Sequence, residues 1–405
     1  MIESEMTRRH MLGVMGLAAL SVAGCGSVGG DEDGGGGEGG DAIKVGLVIP
    51  QAGVYAPLGV DMKAGWDLYL EGSGGKLGGR TVELIVADEG ETPDTGVPAV
   101  QRVIQRDRVD VLVGIVNSAV ALGAQSIVTG AKKLLIVANA GADKVTAGSP
   151  YVWRSSFTNG QVAYALGEYL AKAPEGKDGV YAIAADYAAG AEATAGFKAG
   201  LEAGGGKIAG EAATPFGTTQ DFQPFLSKVR SSGAGACFCF YAGAEAVAFV
   251  KQYAEFGLTE SIPLFGSGFL TEGGVLAAQG KAATGVRTTL HYSSELDNPA
   301  NEEFAKAYQA KTGKPPTVYA MQTYDAAALL DKVVKDAPAL DGDTLGERLG
   351  GLGEIADSPR GPWSFEERSP KQTMYLREVT AGDGGFVNAI EEDLGSYGPA
   401  PAAAA

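Results

Sequence analysis

The stretch VLVGIVNSAVALGAQSIVTGAKKLLIVANAGAD, residues 111–143, constrains the fold more than any other part of the chain. Residues 111–116 form a short apolar run rich in β-branched side chains, as in a strand covered on both faces. Asn117 and Ser118 follow, two residue types that cap helices. Residues 119–131 read as the helix, 134–138 as a second strand and 139–143 as its exit turn. Apolar strands joined by a helix belong in a parallel sheet. Both exit turns then lie at the carboxyl ends of their strands, where open sheets of this kind bind ligands. A helix start there offers free N–H groups and a hydroxyl to an anion. The two turns are thus read as half of a small-molecule site.

The same alternation runs through the chain. Before this stretch, strands are expected at 43–50 and 81–87 and helices at 60–71 and 92–108, with Pro93 near the first turn of the latter. Residues 151–154 look like a crossover, after which the pattern restarts. Strands are expected at 179–185, 207–213, 237–241 and 262–265, and helices at 161–173, 188–202, 222–231 and 244–256. A second crossover near 290–293 leads to helices at 299–311 and 318–334 and a late strand at 371–380. Two α/β units of similar size, joined by several strands, make a hinged pair with a cleft between them.

The ends of the chain are of another kind. Two arginines, Arg8 and Arg9, precede an apolar run too short to span a membrane, and the run ends in Leu-Ser-Val-Ala-Gly-Cys at Cys25. Small residues before a cysteine resemble a bacterial lipobox, and the arginine pair resembles a twin-arginine export signal, with general secretion as the other route. Residues 1–25 are therefore read as a signal peptide and Cys25 as a lipidation site. Residues 26–42, GSVGGDEDGGGGEGGDA, read as a flexible acidic tether with a reach of roughly 20–25 Å. Residues 395–405 read as a disordered tail.

Composition narrows the function. With 49 acidic against 32 basic residues and a net charge of −17, the chain is a poor partner for nucleic acid or an anionic membrane surface. Besides His10 in the leader, His291 is the one histidine, and no nucleophile elbow, Walker sequence or dinucleotide fingerprint occurs. An enzyme is therefore not expected, nor is a cofactor. Cys237 and Cys239 alternate in the strand ACFCF and point to one face, which reads as core packing rather than a metal site.

The segments IKVGLVIPQAGVYAPLG, VGIVNSAVAL, IVANAGAD, SPYVWRSS and TYDAAALL, in this order and spacing, resemble type I periplasmic binding proteins. The most similar branch is the leucine/isoleucine/valine-binding one of ABC importers, over about residues 43–394. The resemblance implies two Rossmann-like, doubly wound α/β lobes joined by a multi-strand hinge and closing on a small ligand. Residues 43–155 with 291–361 would form one lobe, and 156–290 with 362–394 the other. It places the family's carboxylate-binding serine at Ser118, beside Asn117, and its main-chain contacts at Ala140, Gly141 and Ala142. Tyr55 is the aromatic nearest the cleft rim, Tyr187 substitutes for an aromatic near Gly190, and Tyr241 falls at a strand exit of the second lobe.

The family's acid for a ligand ammonium belongs in the turn after residues 262–265, but that turn is Gly266-Ser267-Gly268-Phe269 and the first acid is Glu272. An unpaired ammonium in a closed cleft is costly. An aromatic or aliphatic carboxylate, resting on Ser118, Phe269 and Tyr241, fits better than a branched-chain amino acid, and an amide or urea-like ligand stays open. The resemblance also implies ABC permease subunits as partners, and together with Cys25 it leads to the expectation of an exported protein, lipid-anchored to the outer face of the cytoplasmic membrane or in the periplasm. A ligand sensor coupled to a signalling partner would share the fold.

Overall fold

The computed structural model describes residues 42–53, 55–382 and 384–399. The expected signal peptide with Cys25, and nearly all of the expected tether (to residue 41), lie outside the described residues, as do residues 400–405. The first sheet contains β1 (Ile43–Ile49), β2 (Lys76–Leu77), β3 (Arg80–Asp88), β4 (Val111–Gly114), β5 (Leu134–Val137) and β6 (Val152–Arg154). Between them come α1 (Ala56–Gly72), α2 (Pro93–Gln105) and α3 (Ser118–Ala131). The strand order is β2-β3-β1-β4-β5-β6, parallel except for β2. The presumed crossover at 151–154 is thus the edge strand β6, which also leads to the other lobe.

The second lobe starts with α4 (Asn159–Lys172), β7 (Val180–Asp186), α5 (Ala188–Ala203), β8 (Ile208–Pro215) and α6 (Gln223–Ser231). It continues through β9 (Ala236–Phe240), α7 (Gly243–Glu255), β10 (Leu264–Ser267), α8 (Gly274–Gln279) and β11 (Arg287–Leu290). The chain then returns to the first lobe, where α10 (Val318–Val334) packs on α1, flanked by α9 (Pro299–Thr312) and α11 (Gly342–Gly350). Finally β12 (Glu354–Ile355), β13 (Trp363–Glu366), β14 (Ser369–Gly382) and β15 (Gly385–Tyr397) complete the second sheet, ordered β12-β13-β14-β11-β10-β9-β7-β8 with β15 on β14.

Two expected boundaries are corrected. The strand β12 belongs to the second sheet, although 291–361 was assigned to the first lobe. Residues 395–397 are not tail: β15 runs to Tyr397, whose hydroxyl donates to Glu168 at 2.9 Å.

Strand alternation distributes the core. Val45, Leu47, Val111 and Ile136 of the first sheet join Ala182, Phe238 and Phe240 of the second in one cluster shared by the lobes. Their alternates go to separate outer clusters: Val48, Leu112 and Val137 in the first lobe, and Ile183, Cys237, Cys239 and Tyr241 in the second. Both thiols are free and fully buried, and burial pushes Cys237 up to about 12.

Buried ion pairs tie the connections together. Arg360 pairs with Asp325 of α10 at 2.8 Å and donates to the carbonyls of Ser155 and Ser156 and to Gln372 of β14. Arg377 pairs with Glu272 at 3.1 Å, and Glu272 also accepts from Val318 N at the start of α10.

Candidate functional site

The exit of β4 is built under strain. Gly114 has φ +130°, and a Cβ there would lie 2.0 Å from the Val48 carbonyl, so only glycine fits. Ile115 follows at φ +67°, a conformation that a β-branched residue adopts at a cost of roughly 1–3 kcal/mol. It is held there by hydrogen bonds with Val48 O (2.7 Å) and Ala140 N (3.0 Å) and is fully buried. This turn points Val116, Asn117 and Ser118 into a cavity of about 330 Å³ between the lobes.

Most donors at the start of α3 are already engaged, contrary to the expectation that its amides await an anion. Asn117 caps the helix, accepting from Ala119 N (2.9 Å) and Val120 N (3.3 Å) and donating to Glu91 O (2.8 Å). The amides of Val116 and Asn117 donate to the two carboxylate oxygens of Glu89, at 2.7 and 2.9 Å. Glu89 is fully buried, and burial pushes its carboxyl up to about 7 against the pull of those two amides. Ser118 Oγ accepts from Ala142 N at 3.1 Å, so its own proton is directed elsewhere. Among the described residues that proton has no protein acceptor.

The second turn is fixed from behind. Gly141 O accepts from Asn159 N (2.8 Å) and Ala142 O from Arg154 (2.7 Å), while Arg154 also donates to Phe157 O (2.6 Å). Arg154 is fully buried and, among the described residues, has no carboxylate at ion-pair distance; burial lowers it to about 10, with Asp143 and Glu192 opposing. Ala140 does not line the cavity: its methyl group belongs to the outer cluster of the first lobe. Asn139, Gly141 and Ala142 do line it. Asn139 reaches back to Gln322 (2.9 Å), which contacts the buried, neutral His291 at 3.1 Å.

Aromatic side chains make most of the remaining wall. Tyr55, Phe157 and Tyr319 come from the first lobe and its connections, and Tyr187, Phe216, Phe240 and Phe269 from the second. Phe157 and Phe269 meet at 4.6 Å between centroids, and Tyr187 stacks on Phe216 at 4.2 Å. Tyr241 is corrected: it is buried in the outer cluster of the second lobe, against Phe222 and Phe249, with its hydroxyl 3.2 Å from that of Thr214. Side chains alternate along a strand, so Phe240 faces the cleft and its neighbour cannot. The acid in the cavity wall is Glu192 of α5, which accepts from Asn159 Nδ2 (2.9 Å) and, weakly, from Asp143 N (3.4 Å). Burial raises its carboxyl. Glu272 is 6% exposed, bound to Arg377, and does not line the cavity.

A larger groove of about 600 Å³ lies between α5 and β8, lined mostly by alanine and by the exposed Lys198–Glu211 pair. No group of residues suited to a metal ion occurs among the described residues.

The sequence profile of the family described as periplasmic binding protein matches residues 42–385. The chain belongs to the periplasmic binding protein family. This periplasmic binding protein is 31% identical over 353 residues to a Leu/Ile/Val-binding protein homolog of Brucella melitensis, covering 85% of this chain and 89% of the relative. It is 38% identical to an ABC transporter solute-binding protein from R. palustris solved in complex with benzoate. That match covers 88% of this chain and 97% of the other, with a TM-score of 0.79. A solute-binding protein of Rhodopseudomonas palustris BisB5, in complex with 3,4-dihydroxybenzoic acid, is 34% identical with a TM-score of 0.80, covering 87% and 97%. The expected two-lobed fold is thus confirmed, and the protein is a solute-binding protein of the ABC-transporter type.

Proposed function

We propose that this protein captures an aromatic carboxylate of the benzoate type and delivers it to an ABC permease. The observation that carries this is the wall of aromatic side chains around the free hydroxyl proton of Ser118. The turn after β10 supplies Phe269 where an ammonium ligand would need an acid, and Glu272 is committed to Arg377. Two relatives above 30% identity were solved with benzoate-type acids, which supports the same reading.

In this mechanism Ser118 donates to the ligand carboxylate, its oxygen being fixed by Ala142 N. Asn117 and Gly141 shape the same rim. The buried Arg154 lies behind the Ala142 carbonyl and lowers the cost of bringing in a negative charge. Phe240, Phe269 and Tyr187 close from the second lobe, with Tyr55 at the rim. Burying one benzene ring of about 150 Å² contributes roughly 4 kcal/mol. Residues 43–155 with helices α9–α11 act as one body, and the second sheet with its helices as the other. A lipid on Cys25 would hold the exported protein at the membrane.

Titration calorimetry tests the ligand. Benzoate-type acids are expected to bind and leucine not to; leucine binding without benzoate binding refutes the proposal. Membrane fractionation tests the anchor: Cys25→Ser is expected to release the protein, and continued retention refutes lipidation.

A further inference from the structure

We infer that Glu192 selects, within the aromatic acids, those that carry a hydrogen-bond donor on the ring, a phenolic hydroxyl. This rests on the aromatic-acid reading above and adds the ligand's second polar group. Glu192 is the only charged side chain on the cavity wall among the described residues. It reaches the cavity from α5, and one oxygen accepts from Asn159 Nδ2 at 2.9 Å. The other has only the long contact of 3.4 Å with Asp143 N. A carboxylate has about four acceptor sites, so capacity remains on the cavity side. The same cavity wall includes Phe157 and Phe269, whose side chains carry no donor.

A closed cleft would strip that oxygen of solvent, and an acceptor buried without a donor costs free energy. An unsubstituted ring presents only C–H to it. A ring hydroxyl donates to it and removes the penalty. A carboxylate at Glu192 accepts and cannot donate, so it repels the ligand carboxylate that Ser118 binds. Glu192 therefore reads a group other than the carboxylate, and its charge opposes a second carboxylate on the ring.

The test is titration of the full protein and of Glu192→Leu and Glu192→Gln with benzoate, the three monohydroxybenzoates and phenylalanine. At least one hydroxybenzoate is expected to bind the wild type roughly ten- to a hundred-fold tighter than benzoate. In Glu192→Leu that ratio is expected to fall below about three-fold. Glu192→Gln, which keeps shape and one acceptor, should give an intermediate ratio and serves if the leucine variant does not fold. Benzoate binding with no hydroxybenzoate preference, or a preference unchanged in both variants, overturns the inference but leaves the aromatic-acid reading standing. Tightest binding of phenylalanine, lost in Glu192→Gln, overturns it by assigning Glu192 to an ammonium. Absence of binding by every aromatic acid overturns the reading and the inference together.

Discussion

Replacing Glu272 with alanine separates a structural acid from a ligand-reading one. Its side chain is 6% exposed and that of Arg377 1%, with 3.1 Å between them, and Glu272 also accepts from Val318 N at 2.8 Å. Removing one member of a buried pair costs about 3–5 kcal/mol, because the other charge stays buried. Arg377 keeps the carbonyls of Tyr292 (2.7 Å) and Gly268 (3.1 Å) and the Thr288 hydroxyl (3.2 Å), which places the loss toward the lower end. At roughly 2.1 cal/mol/K per residue, the melting entropy of the folded region is about 0.75 kcal/mol/K, so the melting temperature should fall by about 4–5 °C. Scanning calorimetry gives this shift, and titration of the same sample gives ligand affinity, expected within about three-fold of wild type. Replacing both partners, Glu272→Leu with Arg377→Met, should restore most of the stability, since apolar pairs often substitute for buried ions. A melting temperature unchanged within about 1 °C, together with lost affinity, would refute the argument and return Glu272 to the ligand site.

Ser118→Ala should weaken binding by about 1–2 kcal/mol, or roughly five- to thirty-fold, with little change in melting; unchanged affinity in calorimetry removes the hydroxyl from the site. Glu89, with its carboxyl pushed up to about 7 from an ordinary 4.5, holds its proton to higher pH in the folded chain than in the unfolded one. Its stabilising share is therefore complete below about pH 4.5 and is lost as pH rises toward about 7, by at most about 3 kcal/mol. Denaturant titrations should show Glu89→Gln without that decline relative to wild type; parallel pH curves would contradict it. Gly65→Ala should cost about 1–3 kcal/mol in the same assay, because a Cβ there would lie 2.0 Å from Ala320 O where α1 crosses α10.

Periodicity made most of the fold readable. The helix expected at 318–334 has the bounds of α10; in the structure Thr317 caps it and apolar residues continue to Val334. ACFCF read as a buried strand, which it is, and both thiols share a face as expected. The strand β15 was not readable. Its FVNAIEEDLGSY is polar and half exposed, and Gly395 at φ +93° looked like the start of a tail, while pairing with β14 is a long-range matter. In the site, Ser118 and Phe269 were legible from turn positions, but Tyr241 was named one residue beyond the side chain that faces the cleft. In the sequence Glu89 is one acid among several at a strand exit, and Glu192 one acid in an alanine-rich helix. Nothing local distinguishes either, because each acquires its role from a partner far along the chain: Val116 and Asn117 for one, Asn159 for the other.

The self-satisfied start of α3 bears on how a guest leaves. Four amides that could have gripped an anion are turned inward, to Asn117 and Glu89, before any solute arrives. Few bonds then tether the cargo, and once the jaws part, water replaces them at little cost. On the proposed reading, retention comes mainly from the aromatic walls once shut, so whatever pries the halves apart also empties the vessel.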